Sequence, residues 1–359
     1  MLTIAIPNRN RNLRTVERTL RSIVCQNPTE INVVVIDYGS ELNYQEQLRY
    51  LVKEIGNCVL ICCPTQGQLW NKARAINIVL KQCETTYFMV ADMDMIFHPK
   101  AIEKINSLVN TDRAIYFKVG ILTEEESKKD VPFDDYIVKF YTNTAATGIT
   151  VFPTATLKAI HGFDEFYHGW GAEDTDVHIR FKHIGTSVEF YEQKTLFLHQ
   201  WHPKHYRSNL STVPFHDILE KINHQYLNLS RHLNKQKANS GFAWGITPDV
   251  VAYQELKKPT IRLDVLATEE MIKAFLVQWD ALEQIVLSFS IKAHRDEARV
   301  KTKIKKILRR KTPNFVSLEI ANRCILEQII TRYRNCPYTY AFDRRLKRIE
   351  GVIYLKPAL

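Results

Sequence analysis

The sequence predicts an α/β fold: an open, mostly parallel, twisted sheet flanked by helices, with a mainly helical C-terminal extension. Three observations predict it. Strand-like and helix-like segments alternate through the first two hundred residues, the rhythm of parallel strands joined by crossover helices. The run "INVVVIDYGS" (31–40) is continuously β-branched, as a strand buried on both faces requires. Polar clusters follow three strand segments, at Pro7–Arg11, Asp37–Ser40 and Asp92–Asp94, where open sheets of this class hold ligands.

Taken in order, "LTIAIP" (2–7) reads as the first strand. "NLRTVERTLRSIVCQ" (12–26) is a helix, its apolar face formed by Leu13, Val16, Leu20, Ile23 and Val24. Strand 31–40, helix 44–55, strand 58–63, helix 69–83 and strand 86–94 follow. Past residue 110 the pattern becomes mixed, with a turn-rich stretch over 161–185 and an apolar strand before His199. The expected organisation is a catalytic domain over 1–205, with a nucleotide-binding part (1–95) and an acceptor-binding, catalytic part (96–205). A helical connection spans 206–240, and a basic, mainly helical domain fills 241–359.

The bulk numbers bound the function. At 359 residues, 45% hydrophobic and 25% charged, the composition is that of a globular enzyme. No apolar run is long enough to span a bilayer, and the N-terminus has no secretory layout. Seven cysteines without paired spacing suit free thiols in a reducing cytoplasm and argue against a zinc site. The net charge of +10 is compatible with nucleic acid, an anionic membrane face or phosphorylated substrates. Much of it crowds into "IKAHRDEARVKTKIKKILRRK" (291–311).

Four clusters carry chemistry. In "VADMDM", strand alternation would point Asp92 and Asp94 to one side, where one carboxylate ligates a divalent metal. A loop-capping pair is the plain alternative. In "GWGAEDTDVHIRF" (169–181), Gly169 and Gly171 bracket Trp170, offering an indole face to a sugar. Glu173, Asp174 and Asp176 open a helix there, and simple N-terminal capping would also place acids so. In "LFLHQWHPKHY" (196–206), His199 or His202 could complete a metal site, tilting the preference from Mg²⁺ to Mn²⁺. Trp201 is either core or a second sugar platform. In "IPNRNR", Asn8, Arg9 and Arg11 follow strand one, where guanidiniums can pair with phosphate or simply be solvated.

These motifs, in this order, resemble the nucleotide-sugar glycosyltransferases of the GT-A fold. The similarity is to the β-1,4-galactosyltransferase and bacterial chondroitin-polymerase group, whose versions read like P-x-R-N-R, F-N-R-A, D-x-D and W-G-G-E-D. It covers residues 1–205. The resemblance implies that Pro7, Asn8, Arg9 and Arg11 border the uridine and diphosphate and that Asp37 reads the uracil edge. Lys72 stands where the family has arginine, with Arg74 nearby to compensate, and Asp92 contacts ribose or metal-bound water. Asp94 and His199, with His202 as the alternative, would bind Mn²⁺ or Mg²⁺. Asp174 would be the general base and Glu173 a hydrogen-bonding partner, while Trp170, Gly171 and Trp201 would face the acceptor. Ala172 replaces the family's second glycine.

The resemblance implies an inverting, metal-dependent hexosyltransferase. It would move galactose, N-acetylgalactosamine or N-acetylglucosamine from a UDP-sugar to a glycan or lipid-linked glycan, with glucuronic acid or glucose as lesser candidates. The expected setting is bacterial capsule, lipopolysaccharide or other surface-polysaccharide synthesis, in the cytoplasm and peripheral at the inner membrane face. A metal-dependent nucleotidyltransferase is one competing class, since paired aspartates also serve phosphoryl chemistry. A basic nucleic-acid-binding protein is the other, although the helical apolar spacing of Val300, Ile304, Ile307 and Leu308 suits an anionic membrane surface via 291–311 better than base readout. No nucleic acid partner is expected.

Overall fold

The computed structural model describes residues 1–26, 31–203, 211–297, 299–308 and 310–355, without the side chains of residues 302, 303 and 306. Residues 206–210 of the expected connection, and 298 and 309 of the basic segment, lie outside the described residues. The chain forms two compact units. One comprises Met1–Cys63, Trp70–Pro203 and Glu220–Thr247; the other comprises Pro64–Leu69, Lys204–Leu219 and Pro248–Leu359.

The first unit opens with the expected alternation. β1 (Leu2–Asn8), α1 (Leu13–Val24), β2 (Ile31–Tyr38), α2 (Leu42–Ile55), β3 (Cys58–Cys63), α3 (Lys72–Gln82) and β4 (Tyr87–Val90) follow one another. Next come β5 (Met95–Phe97), α4 (Ala101–Leu108), β6 (Arg113–Phe117), β7 (Val119–Ile121), α5 (Glu124–Lys128), β8 (Phe140–Tyr141), β9 (Thr150–Pro153) and α6 (Thr154–Ala159). The unit continues with α7 (Glu173–His183), β10 (Ser187–Tyr191), β11 (Phe197–His199) and α8 (Leu219–His232). Among the described residues, seven strands form one sheet in the order β10-β6-β9-β4-β1-β2-β3. All neighbours pair in parallel except β9, which runs antiparallel to both β4 and β6.

Strand alternation divides the core between two faces. Ile4, Ile6, Val33 and Val35 meet Val16, Leu20 and Ile23 of α1 and Leu48 and Val52 of α2. Ala5, Val34, Ile36 and Val90 meet Ala73, Ile76 and Leu80 of α3. Both faces are therefore apolar, which is why these strands read as continuous hydrophobic runs. Adjacent parallel strands β4, β1 and β2 bring their carboxyl ends to one rim, with Asp92, Asn8 and Asp37 there.

A smaller sheet, β5-β11-β7-β8, sits next in sequence to that rim. β5 and β11 are antiparallel, with His199 opposite Met95, and Gln200 N–H donates to the Asp94 carbonyl at 2.8 Å. This register carries His199 beside Asp94.

Beside the helices the sequence predicts, the second unit holds a four-stranded sheet. It contains α9 (Val250–Glu255), β12 (Ile261–Leu266), α10 (Glu269–Gln278), β13 (Ile285–Lys292), α11 (Val300–Ile307), α12 (Leu318–Gln328), β14 (Tyr338–Asp343) and β15 (Arg348–Leu355). The strands form a sheet in the order β12-β13-β15-β14. The sequence hides this sheet for a physical reason. β13 and β15 alternate buried and open positions along much of their length, a period of two that the lysine-rich helical segment between them obscures.

Candidate active site

Asp92 and Asp94 do not lie on one strand face. β4 ends at Val90, and residues 92–95 form a turn closed by Met95 N–H donating to the Asp92 carbonyl at 3.3 Å. Strand alternation therefore lapses, and the two carboxylates serve two different clusters.

The first cluster surrounds Asp94, which is 2% exposed. His199 Nε2 lies 3.5 Å from Asp94 Oδ1, His202 Nε2 3.5 Å from Asp94 Oδ2, and Arg11 Nη2 3.1 Å from Asp94 Oδ2. One ligand atom from each of Asp94, His199 and His202 falls within 4.8 Å of the others. Asp94 Oδ1 is buried without a hydrogen-bond partner among the described residues, an open coordination valence. Burial, then the nearby Arg11 charge, push the His202 imidazole pKa down, keeping a nitrogen lone pair free for coordination. One carboxylate and two imidazoles fit a divalent transition ion such as Mn²⁺. Both histidines, not one of them, face the carboxylate.

The second cluster surrounds Lys72, the first residue of α3. Its Nζ lies 3.0 Å from Asp92 Oδ1, 3.1 Å from Asp174 Oδ2 and 3.6 Å from Glu173 Oε1. A cation at a helix N-terminus opposes the macrodipole, so the carboxylates, not the helix, set this position. Burial works against the ammonium, but Asp174, Asp92 and Glu173 outweigh it and hold Lys72 well above the usual lysine pKa. Burial raises Asp92 too, yet Lys72, with His199 and Arg11 behind it, brings its pKa below the ordinary value. Asp174 goes the other way. Burial, reinforced by Glu173 and Asp92 against the opposing pull of Lys72, raises its pKa from 3.8 to about 7.

Lys72, expected among the nucleotide-sugar-binding residues, is the cation that joins Asp92 to the α7 acids. Arg74, its expected substitute, is 4% exposed within α3 and influences the Cys63 thiol electrostatically. Asp37 was expected at a uracil edge. It is fully buried, accepting from Asn8 Nδ2 at 2.8 Å, Gln45 Nε2 at 2.8 Å and the Ser40 hydroxyl. With both oxygens engaged, Asp37 fixes Asn8 and the β2 end from beneath. Pro7 is buried in β1, and Arg9 is half-buried on the loop that leads to Arg11.

The third acid of the α7 motif is structural. Asp176 pairs with fully buried Arg180 at 2.6 Å, whose other nitrogens donate to the Ile160 and Gly162 carbonyls. Glu173 and Asp174 thus remain for the cleft. Ahead of them, Trp170 is 57% exposed, and Gly169, Gly171 and Ala172 all have positive φ. Ala172 at φ 78° is a non-glycine residue in the left-handed region, strained by about 1 kcal/mol. Trp201, 42% exposed, is not core.

Two contributors are not legible in local sequence. Asn223 of α8 donates to the His168 carbonyl at 3.0 Å and the Trp170 carbonyl at 3.2 Å, anchoring the tryptophan loop. No nearby motif marks it; only the return of α8 to this unit places it. Gly148 lies between the acids, since a methyl group there would sit 3.5 Å from both Asp174 Oδ2 and Asp92 Oδ2. The small-residue run "AATG" before β9 is its one signal.

Against this geometry, sequence comparison is decisive. Residues 3–156 match the family described as glycosyl transferase family 2, and residues 129–203 match the N-terminal domain of galactosyltransferase. The chain is a glycosyltransferase. Both matches fall on the unit that holds the two clusters. No curated protein matches the glycosyltransferase in sequence. Solved structures similar to it include a mannosyltransferase from Pyrobaculum calidifontis in complex with GDP-mannose and Mn²⁺, at 15% identity and TM-score 0.43, covering 65% of this chain and 71% of that one. Residues 1–349 of S. aureus TarS in complex with UDP match at 16% identity and TM-score 0.43, over 93% and 91% of the two chains. The catalytic domain of Drosophila β1,4-galactosyltransferase 7 in complex with xylobiose matches at 14% identity and TM-score 0.39, over 58% and 73%.

Proposed function

We propose that the glycosyltransferase moves a hexose or N-acetylhexosamine from a UDP-sugar to a glycan hydroxyl with inversion at the anomeric carbon. Galactose, N-acetylgalactosamine and N-acetylglucosamine are the favoured donors. The observation that carries this reading is the Lys72 bridge, which holds Asp92 at 3.0 Å and Asp174 at 3.1 Å from one ammonium.

Asp174 takes the proton from the acceptor hydroxyl, and a pKa of about 7 suits a general base working near neutrality. The hydroxyl oxygen then bonds to the anomeric carbon as the bond from that carbon to the diphosphate oxygen breaks. The electron pair leaves with UDP. Attack opposite the leaving group turns an α-linked donor into a β-glycoside. Glu173 accepts a hydrogen bond from a sugar hydroxyl, and Arg11 presents positive charge beside Asp94 toward the diphosphate. A Mn²⁺ or Mg²⁺ ion held by Asp94, His199 and His202 would supply the positive charge that stabilises the leaving diphosphate. Trp170 offers its exposed indole to the acceptor ring, with Trp201 as a second platform.

The exposed tryptophan and the two α7 acids favour glycosyl over nucleotidyl transfer, because the latter has no use for them. A glycan acceptor of the capsule or lipopolysaccharide kind, met at the cytoplasmic face of a membrane, is the setting this reading implies. A donor panel scored for UDP release, with and without Mn²⁺, tests it. Metal-dependent release of UDP from one of the favoured donors supports the reading; release of pyrophosphate, or no turnover with any UDP-sugar, refutes it.

A further inference from the structure

The second unit carries a feature that sugar transfer does not use. Residues 291–311 hold ten lysines and arginines against two acids, so eight of the chain's ten net positive charges fall within this segment. Its centre is α11, "VKTKIKKI". The helical winding runs on past Ile307, with Leu308 N–H donating to the Ile304 carbonyl at 2.9 Å.

A solvated cationic helix would keep its apolar residues covered or have none. Here Val300, Ile304, Ile307 and Leu308 are 70%, 50%, 80% and 57% exposed. At helical spacing these four fall within one arc of about 100°. Arg299, Lys301, Arg310 and Lys311 are exposed around them. Among the described residues, no helix is long and apolar enough to cross a membrane.

We infer that α11 and its flanking cations dock the glycosyltransferase on an anionic lipid surface, with Val300, Ile304, Ile307 and Leu308 entering the boundary between headgroups and acyl chains. Charge and apolarity select this occupant together. Nucleic acid would satisfy the cations but leave four aliphatic side chains facing polar groups. A bilayer containing anionic lipid takes both, since cations at its surface meet phosphates while the apolar strip leaves water. The inference stands apart from the transfer reaction, because α11 belongs to the unit that does not hold the two site clusters.

Sedimentation of the full-length protein with vesicles tests it. Phosphatidylcholine vesicles are compared with vesicles that also contain phosphatidylglycerol. The wild type is expected to bind the anionic vesicles about tenfold or more tightly than the neutral ones, and less as salt rises. The double variant Ile304→Asp, Ile307→Asp is expected to lose about tenfold in binding, with sugar transfer to a soluble acceptor, read as UDP release, unchanged. No binding to anionic vesicles overturns the inference. So does equal binding by the double variant, or binding of duplex DNA as tight as that of the vesicles and unaffected by the two substitutions. These positions are exposed, and unchanged circular dichroism confirms that the variant folds.

Discussion

Lys72 Nζ stands 3.1 Å from Asp174 Oδ2, so the proposed general base shares this cation with Asp92, 3.0 Å from the same ammonium. The ammonium is the one group in this cluster that draws the Asp174 pKa down, while burial, Glu173 and Asp92 push it up. Lys72 thereby positions and tunes Asp174.

Lys72→Met is accordingly expected to move the acidic limb of the kcat/KM profile upward from about pH 7, because the remaining influences all favour the protonated acid. Activity at pH 7 falls about tenfold for each unit of that shift and recovers in alkali. Lys72→Arg keeps the charge and should keep the limb close to that of wild type. Rate measurements across pH with both variants check this. A uniform loss at all pH values in Lys72→Met would point to donor binding instead.

The same raised pKa predicts a stability signature. A carboxyl that binds its proton more tightly folded than unfolded favours the native state at low pH. That advantage disappears as pH rises from the ordinary aspartate value of 3.8 through about 7. Above pH 7 the buried charge is a full cost. Asp174→Asn should therefore melt higher than wild type at pH 8, with the gap closing toward pH 4. Thermal denaturation at the two pH values measures it.

Ala172 lends itself to a simpler test. With φ 78°, it occupies a conformation that glycine enters freely and alanine does not. Ala172→Gly should stabilise the unit by about 1 kcal/mol, set against the added chain entropy of glycine when unfolded. A denaturant midpoint that rises without a change in slope reports it.

The metal reading also makes separable claims. Asp94→Ala, His199→Ala and His202→Ala should each remove the Mn²⁺-dependent part of UDP-sugar binding, since Asp94 faces both imidazoles at 3.5 Å. Calorimetric titration of the donor with and without Mn²⁺ separates this from a general loss of affinity. An unchanged Mn²⁺ dependence in His202→Ala would reduce the set to Asp94 and His199.

The parts of this site that the sequence discloses share a physical reason. Val33–Ile36 and Phe88–Val90 are buried on both sheet faces, so their apolar runs show, and polar groups just beyond them must lie on the rim. What stays hidden depends on distance along the chain. That Lys72 would face Asp92, Glu173 and Asp174 follows from two helix N-termini meeting across a hundred residues. The hydrogen bonds that Asn8, Ser40 and Gln45 make to Asp37 are hidden in the same way. Asn223 reaches the tryptophan loop because α8 folds back, which no local pattern announces. The second-unit sheet was masked by composition, since "YTYAFD" and "RIEGVIYL" flank only a short basic turn and follow the lysine-rich α11.

The most direct test of the central claim is transfer by Asp174→Asn, with donor affinity measured on the same protein. The account predicts a fall in kcat of about a thousandfold or more, with the UDP-sugar Kd within about threefold of wild type, since removing a group that acts only in the transition state spares binding. Turnover near the wild-type rate would contradict it.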